Sequence, residues 1–220
     1  MATSSDFVYV DADFLREIFA GNIHTPTLYF HPNPAIRGVF WSRLTTIAAL
    51  MRHEGRRRSC LDFGGGSGVF LPTLARLFEK VACIDLDPQC AEKVVARYAL
   101  ANTTVNQEDI TTFDYGEGAF DAAVAADVLE HFSDLSTPVK ALRRWIRKGG
   151  NLYTSLPTET WLYTSLRAMF GITKPDDHFH TASEVETYLS QNGFRRVAQR
   201  GLPINFGPTR LFSITCWERV

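Results

Sequence analysis

No stretch of this sequence approaches the roughly 18 apolar residues needed to span a bilayer, so a membrane-crossing helix is not expected. Cysteine is scarce: Cys60, Cys83, Cys90 and Cys216 form no C-x-x-C pair and show no zinc spacing. Cys60 and Cys83 fall in two expected neighbouring strands and read as buried free thiols. Neither sign of charge prevails. With 23 Lys and Arg against 24 Asp and Glu, the net charge of −1 offers no global attraction to a polyanion, and no nucleic-acid-reading module is recognisable. Residues 1–6 lack a basic and then an apolar lead-in, so no signal peptide is expected and the cytoplasm is the expected compartment. Internal repeats and low-complexity tracts are missing too.

What is present suits one globular domain with a sizeable core: 220 residues, 45% hydrophobic and 21% charged. Residues 1–57 carry no strand signal and read as an N-terminal helical extension. Phe7, Val10, Phe14, Leu15 and Ile18 recur at helical spacing over 6–19, as do Val39, Phe40, Leu44, Ile47 and Leu50 over 36–51. The basic run at 52–58 reads as a solvated loop, or as a face toward an anionic substrate or membrane. From residue 59 onward strands and helices alternate. Strands are expected at 59–62, 81–85, 103–106, 120–125 and 151–156, with helices at 68–79, 88–100, 138–147 and 160–170. The helix at 138–147 is expected to stop at Gly149-Gly150. A capping-box start at Thr181 opens a last helix over 181–191, and tail strands at 194–200 and 210–218 can pair antiparallel. This alternation argues an α/β fold: a parallel sheet with helices on both faces and an antiparallel addition at the C-terminus.

The alternation is organised around Leu61-Asp62-Phe63-Gly64-Gly65-Gly66-Ser67-Gly68-Val69, an apolar strand ending in an acid, a glycine-dense turn and a helix start. Such a turn lets a ligand approach bare backbone and the positive end of a helix dipole. A P-loop needs Lys and then Ser or Thr after the last glycine, and Val69-Phe70 stand there instead. A dinucleotide fingerprint needs a third glycine where Val69 stands. What remains is acid-x-G-x-G-x-G, a pattern that by itself also fits a tight turn in any α/β fold. A second acid, Asp85, ends the next strand 23 residues after Asp62. A carboxylate there can accept both hydroxyls of a ribose; its other reading is a helix cap, for which Asp87 is better placed. Asp109 follows the third strand within Gln107-Glu108-Asp109-Ile110. Around the fourth strand stands Phe120-Asp121-Ala122-Ala123-Val124-Ala125-Ala126-Asp127-Val128-Leu129-Glu130-His131-Phe132, and Leu142 to Gly150 reads LRRWIRKGG.

In this order the motifs resemble those of the class I S-adenosylmethionine-dependent methyltransferases. The likeness covers residues 59–156, and Asn192-Gly193-Phe194 is similar to the family's usual ending. One departure is Lys148 running straight into Gly149, without the usual proline. The resemblance implies a Rossmann-like seven-stranded, mostly parallel sheet, with strand seven inserted antiparallel between five and six. It implies a methyltransferase domain over 58–220 with a lid-like insertion at 157–180. It also implies S-adenosylmethionine as cofactor and S-adenosylhomocysteine as product. Asp62, Gly64, Gly65, Gly66 and Gly68 then meet or support the amino-acid end, Asp85 the ribose and Asp109 and Ile110 the adenine, with Leu86, Ala126 and Asp127 as further cofactor-binding positions.

A sulfonium methyl is already activated, so alignment of the reactants supplies most of the catalysis, roughly 7–11 kcal/mol. A general base adds ~10²–10⁴-fold where the acceptor must lose a proton. The candidates are His131, which also reads as a pocket-lining or structural residue, and His178 and His180 in the loop Lys174-Pro175-Asp176-Asp177-His178-Phe179-His180. Histidines two apart face opposite ways if extended, so no metal site is expected in that loop. The aromatic run with Trp161, Leu162, Tyr163, Leu166 and Phe170 reads as core under the lid, as an apolar acceptor channel or as a peripheral membrane contact. The acceptor expected is small and organic or lipid-like, with no nucleic acid and no obligate protein partner. The lack of an N/D-P-P-Y/F tetrapeptide after the fourth strand argues the same way. Two alternatives are an NAD-dependent oxidoreductase, disfavoured by Val69, and a module that holds the cofactor without turnover.

Overall fold

The computed structural model describes residues 6–20, 27–52, 57–110, 112–158, 178–203 and 210–220. The expected helix at 160–170, most of the expected lid and part of the basic run at 52–58 lie outside them. Seven strands make a mixed, mostly parallel sheet, and six α-helices lie among the described residues. The chain divides into two compact units, residues 1–113 and 114–220.

The first unit holds α1 (Ala12–Ile18), α2 (Pro34–Arg52), β1 (Arg57–Phe63), α3 (Leu71–Leu77), β2 (Phe78–Asp85), α4 (Gln89–Arg97) and β3 (Thr103–Gln107). β2 pairs in parallel with β1 on one side and β3 on the other. Cys60, Leu61, Cys83 and Ile84 are buried in this sheet, as strands covered on both faces require. The expected first helix is shorter than its periodicity. Asp11 accepts the Phe14 N–H and caps the helix there. Ahead of it Val8 N–H donates to Thr73 Oγ1 at 3.0 Å, and the Phe7 ring packs against Trp41 and Phe70. The helix expected at 68–79 is trimmed at both ends. Backbone bonds from Gly68 to Gly65 and from Leu71 to Gly68 close turns first, and Phe78, Glu79 and Lys80 join β2 opposite β1.

The second unit holds β4 (Phe120–Ala126), a single 3₁₀ turn (Leu129–His131), α5 (Ser136–Trp145), β5 (Ile146–Pro157), α6 (Ala182–Gln191), β6 (Phe194–Pro203) and β7 (Arg210–Arg219). β4 runs parallel to β5, and β7 lies antiparallel between β5 and β6. Ala122 to Ala125 are wholly buried, the small apolar strand expected for a sheet interior. Gly149-Gly150 does not stop a helix, contrary to expectation. α5 ends at Trp145, and buried Ile146 already pairs with Phe120. The ladder then shifts register, so the glycines serve a bulge inside β5. Gly149 takes φ +69°, and a Cβ on Gly150 would come 2.7 Å from the Asp121 carbonyl oxygen.

At the far edge, α6 starts on the expected capping box. Thr181 Oγ1 accepts the Glu184 N–H, and the Glu184 carboxylate accepts the Thr181 N–H at 2.7 Å. Buried Glu186 fixes α6 to the hairpin by accepting from Gln199 Nε2, Thr215 Oγ1 and Ser213 Oγ. A buried carboxylate needs such partners.

Candidate functional site

The turn between β1 and α3 is built around two carboxylates. Gly64 N–H donates to the Ile84 carbonyl at 2.9 Å, and Ala91 N–H donates to the Gly66 carbonyl at 3.1 Å, so the turn is held against the end of β2 and the start of α4. Asp85 closes it from beneath. Its Oδ2 accepts the Gly66 N–H at 2.8 Å and its Oδ1 accepts the Asp87 N–H at 2.9 Å. Asp85 is therefore not a helix cap, and neither is Asp87: the N-cap position of α4 is Pro88, without a side-chain cap. A Cβ on Gly66 would lie 2.8 Å from the Asp85 carboxyl carbon, and one on Gly68 2.6 Å from the Ala91 Cα. A Cβ on Gly65 would come within 2.4 Å of Asp62 Oδ2. The turn thus packs so closely on Asp62, Asp85 and Ala91 that only glycine fits at these three positions.

Electrostatics follow from this enclosure. Burial, with the Asp85 charge as a second contribution, pushes the Asp62 carboxyl up to about 7. Burial also raises Asp85, against the opposing effect of the Asp87 and Gly66 N–H groups. The Cys83 thiol between them is pushed well up by burial and by both carboxylates. Next to Asp85, Leu86 is 69% exposed, an apolar side chain with no apolar cover. Asp109 is exposed beyond β3, its carbonyl accepting from Thr112 and Phe113 N–H, and Ile110 beside it is half-buried. The structure therefore brings Asp62, Gly64, Gly65, Gly66, Gly68, Asp85 and Leu86 to one end of β1 and β2, with Asp109 and Ile110 past the same end of β3.

In the second unit, Ala126 ends β4, and Asp127 takes a left-handed conformation, φ +57°, rare outside glycine. It is held there by its N–H to the Ser155 carbonyl at 2.8 Å and by Ser155 Oγ donating to Asp127 Oδ1 at 3.0 Å. Just beyond, the 3₁₀ turn presents Glu130 and His131. Phe179 N–H donates to the Glu130 carbonyl at 2.9 Å, and the His131 and His178 rings meet edge to face at 4.7 Å. Glu130, His131 and His178 each offer a ligand atom within 4.8 Å of the others. His180 is not part of that group and lies instead in the neighbourhood of Asp134 and Glu184. Sequence reasoning paired His178 with His180 and passed over Glu130. Its only signal was a histidine-bearing loop, because the meeting residues come from segments 47 positions apart.

Comparison with known proteins gives the family of the chain. The methyltransferase-domain family profile matches residues 37–199, most of the chain. The chain belongs to the methyltransferase-domain family. A ubiquinone biosynthesis O-methyltransferase of Xanthomonas oryzae pv. oryzae is 31% identical over 124 residues, 54% of this chain and 50% of that protein. The chain spans about half the length of the curated relatives it matches. Among solved structures, the N-methyltransferase NodS of Bradyrhizobium japonicum in complex with S-adenosylhomocysteine superposes with a TM-score of 0.70 at 19% identity, over 94% of this chain and 97% of that one. Magnesium protoporphyrin IX methyltransferase of Synechocystis, also with S-adenosylhomocysteine, gives 0.66 at 20% identity over 94% of each. At these identities the two structures speak for the methyltransferase fold.

Proposed function

We propose that this methyltransferase-family protein binds S-adenosylmethionine and transfers its methyl group to a small organic or lipid-like acceptor. The observation that carries the reading is the Asp85 carboxylate holding the Gly66 N–H in a turn packed too closely on Asp62, Asp85 and Ala91 for any residue but glycine at 65, 66 and 68. The residues present fit the cofactor. Asp62, Gly64, Gly65, Gly66 and Gly68 would hold its amino-acid end, and Asp85 would accept its ribose hydroxyls. Exposed Leu86 and half-buried Ile110 would cover its adenine, with Asp109 at the amino edge, and Ala126 and Asp127 are assigned to it on the same resemblance. When bound, the cofactor supplies a methyl group already activated on a sulfonium.

The protein's own contribution is then placement. The backbone of the turn is tied down by hydrogen bonds at Gly64, Gly65, Gly66 and Gly68, which favours alignment of reactants. Where the acceptor carries a proton, His131 and His178 are the groups set to take it, with His180 further along the loop. The names of the ubiquinone-biosynthesis relatives support a small organic acceptor. Four free, buried cysteines agree with the cytoplasm as the compartment.

The test is thermal unfolding with S-adenosylmethionine, S-adenosylhomocysteine and NAD(H) in parallel. Ligand at ~100 times its dissociation constant adds ~2.7 kcal/mol, a rise of roughly 5–10 °C in Tm for a chain of this size. A rise with the two sulfur nucleosides that disappears in Asp85→Ala is expected. A rise with NAD(H) alone, or with none of the three, would overturn the reading.

A further inference from the structure

We propose that Glu130, His131 and His178 form a binding site for a divalent cation of the zinc type. Three atoms lying within 4.8 Å of one another have a common centre no more than about 2.8 Å from each, against ~2.0–2.2 Å for bound zinc. Side-chain rotations that move each atom by less than about 1 Å close the set. The donor set selects the metal. Two imidazoles and one carboxylate suit zinc, cobalt and their first-row neighbours, whereas magnesium and calcium favour all-oxygen sites.

Backbone structure holds the three residues in place. Glu130 and His131 sit on consecutive positions of a 3₁₀ turn closed by His131 N–H to the Val128 carbonyl at 3.1 Å. His178 is brought to them by the main chain of its neighbour, since Phe179 N–H donates to the Glu130 carbonyl at 2.9 Å. The two imidazoles meet at an interplanar angle of 81° instead of stacking face to face, with one nitrogen of each within 4.8 Å of the other's and of a Glu130 oxygen. Burial is graded across the site: Glu130 is 1% exposed, while His131 and His178 are half-buried. The carboxylate closes the inner side, and coordination positions on the imidazole side are left for a small oxygen or nitrogen donor.

None of the three residues belongs to the proposed cofactor set, so the site does not depend on that assignment. Its consequence for catalysis does rest on the methyl-transfer reading. With a cation bound, the two imidazoles are ligands and no longer bases, and the cation itself makes a bound hydroxyl acidic.

The experiment titrates the tag-free, metal-stripped protein with Co²⁺, reading visible absorption and bound stoichiometry, with Zn²⁺ added as competitor. One equivalent with d–d bands of low-coordinate cobalt, displaced by Zn²⁺, is expected. His178→Ala and Glu130→Gln should each weaken cobalt more than about tenfold, and His180→Ala should leave it unchanged. Absence of saturable cobalt binding, or binding equally tight in His178→Ala, would overturn the site. His178 lies in a loop, so that variant decides the matter even where Glu130→Gln fails to fold. Thermal shift with S-adenosylhomocysteine on the same samples reports the cofactor reading separately.

Discussion

Gly68 and Gly66 look alike in the sequence but are needed for different reasons. Gly68 combines φ +68° with a Cβ position 2.6 Å from the backbone of Ala91, which cannot move without shifting α4. Gly68→Ala should therefore destabilise the fold by about 2 kcal/mol or more, read as a lowered urea midpoint. A Cβ on Gly66 would meet the side-chain end of Asp85. Gly66→Ala should cost stability by less than about 1 kcal/mol while weakening S-adenosylhomocysteine more than about tenfold in calorimetry, because Asp85 must turn away. Asp62 adds a pH effect. Its carboxyl is raised from 3.8 to about 7 in the folded protein, so the native state binds more protons than the unfolded state in between. Stability is then fullest below pH 3.8 and is lost as pH rises through about 7. Other carboxylates act the opposite way, so the readout is a difference: Asp62→Asn should gain on the parent protein as pH rises through that window. Asp62 and Asp85 were legible because strand-end acids flank a glycine turn. The meeting of Glu130 with His178 was not, because a backbone hydrogen bond between distant segments leaves no mark on either one.

At the scale of elements, centres were easier to read than ends. The capping box at Thr181 was visible because both partners lie within four residues, and both hydrogen bonds form. Thr181→Ala should cost about 1 kcal/mol in urea denaturation, and Thr181→Ser should restore most of it. Ends decided by tertiary pairing were misread. Gly149-Gly150 carries the signature of a helix stop, yet the sheet claims Ile146 first and turns the glycines into a bulge. Phe78 to Lys80 continue a helical pattern but find a better partner in β1. The run over 6–19 keeps its periodicity across Asp11, whose side chain starts the helix only there.

For the whole molecule, the strand sequence was legible from alternation, since buried parallel strands such as Ala122 to Ala125 must be small and apolar. The place of β7 between β5 and β6 was not written in the residues themselves and came from family resemblance. Surface charge is also a property of the whole. A formal net charge of −1 leaves little mutual repulsion between copies near neutral pH. Light scattering should show self-association strongest around pH 6.5–7 and falling toward pH 9.

All four cysteines are free and buried, and Cys90 Sγ rests 3.4 Å from the Ile18 carbonyl at the end of α1. A colourless thiol reagent that turns yellow on reaction would find nothing to attack in the closed protein. Its rate of colour development becomes a clock for spontaneous opening. Because Cys90 is covered from α1, a burst of one thiol ahead of the other three would time the departure of the N-terminal segment alone.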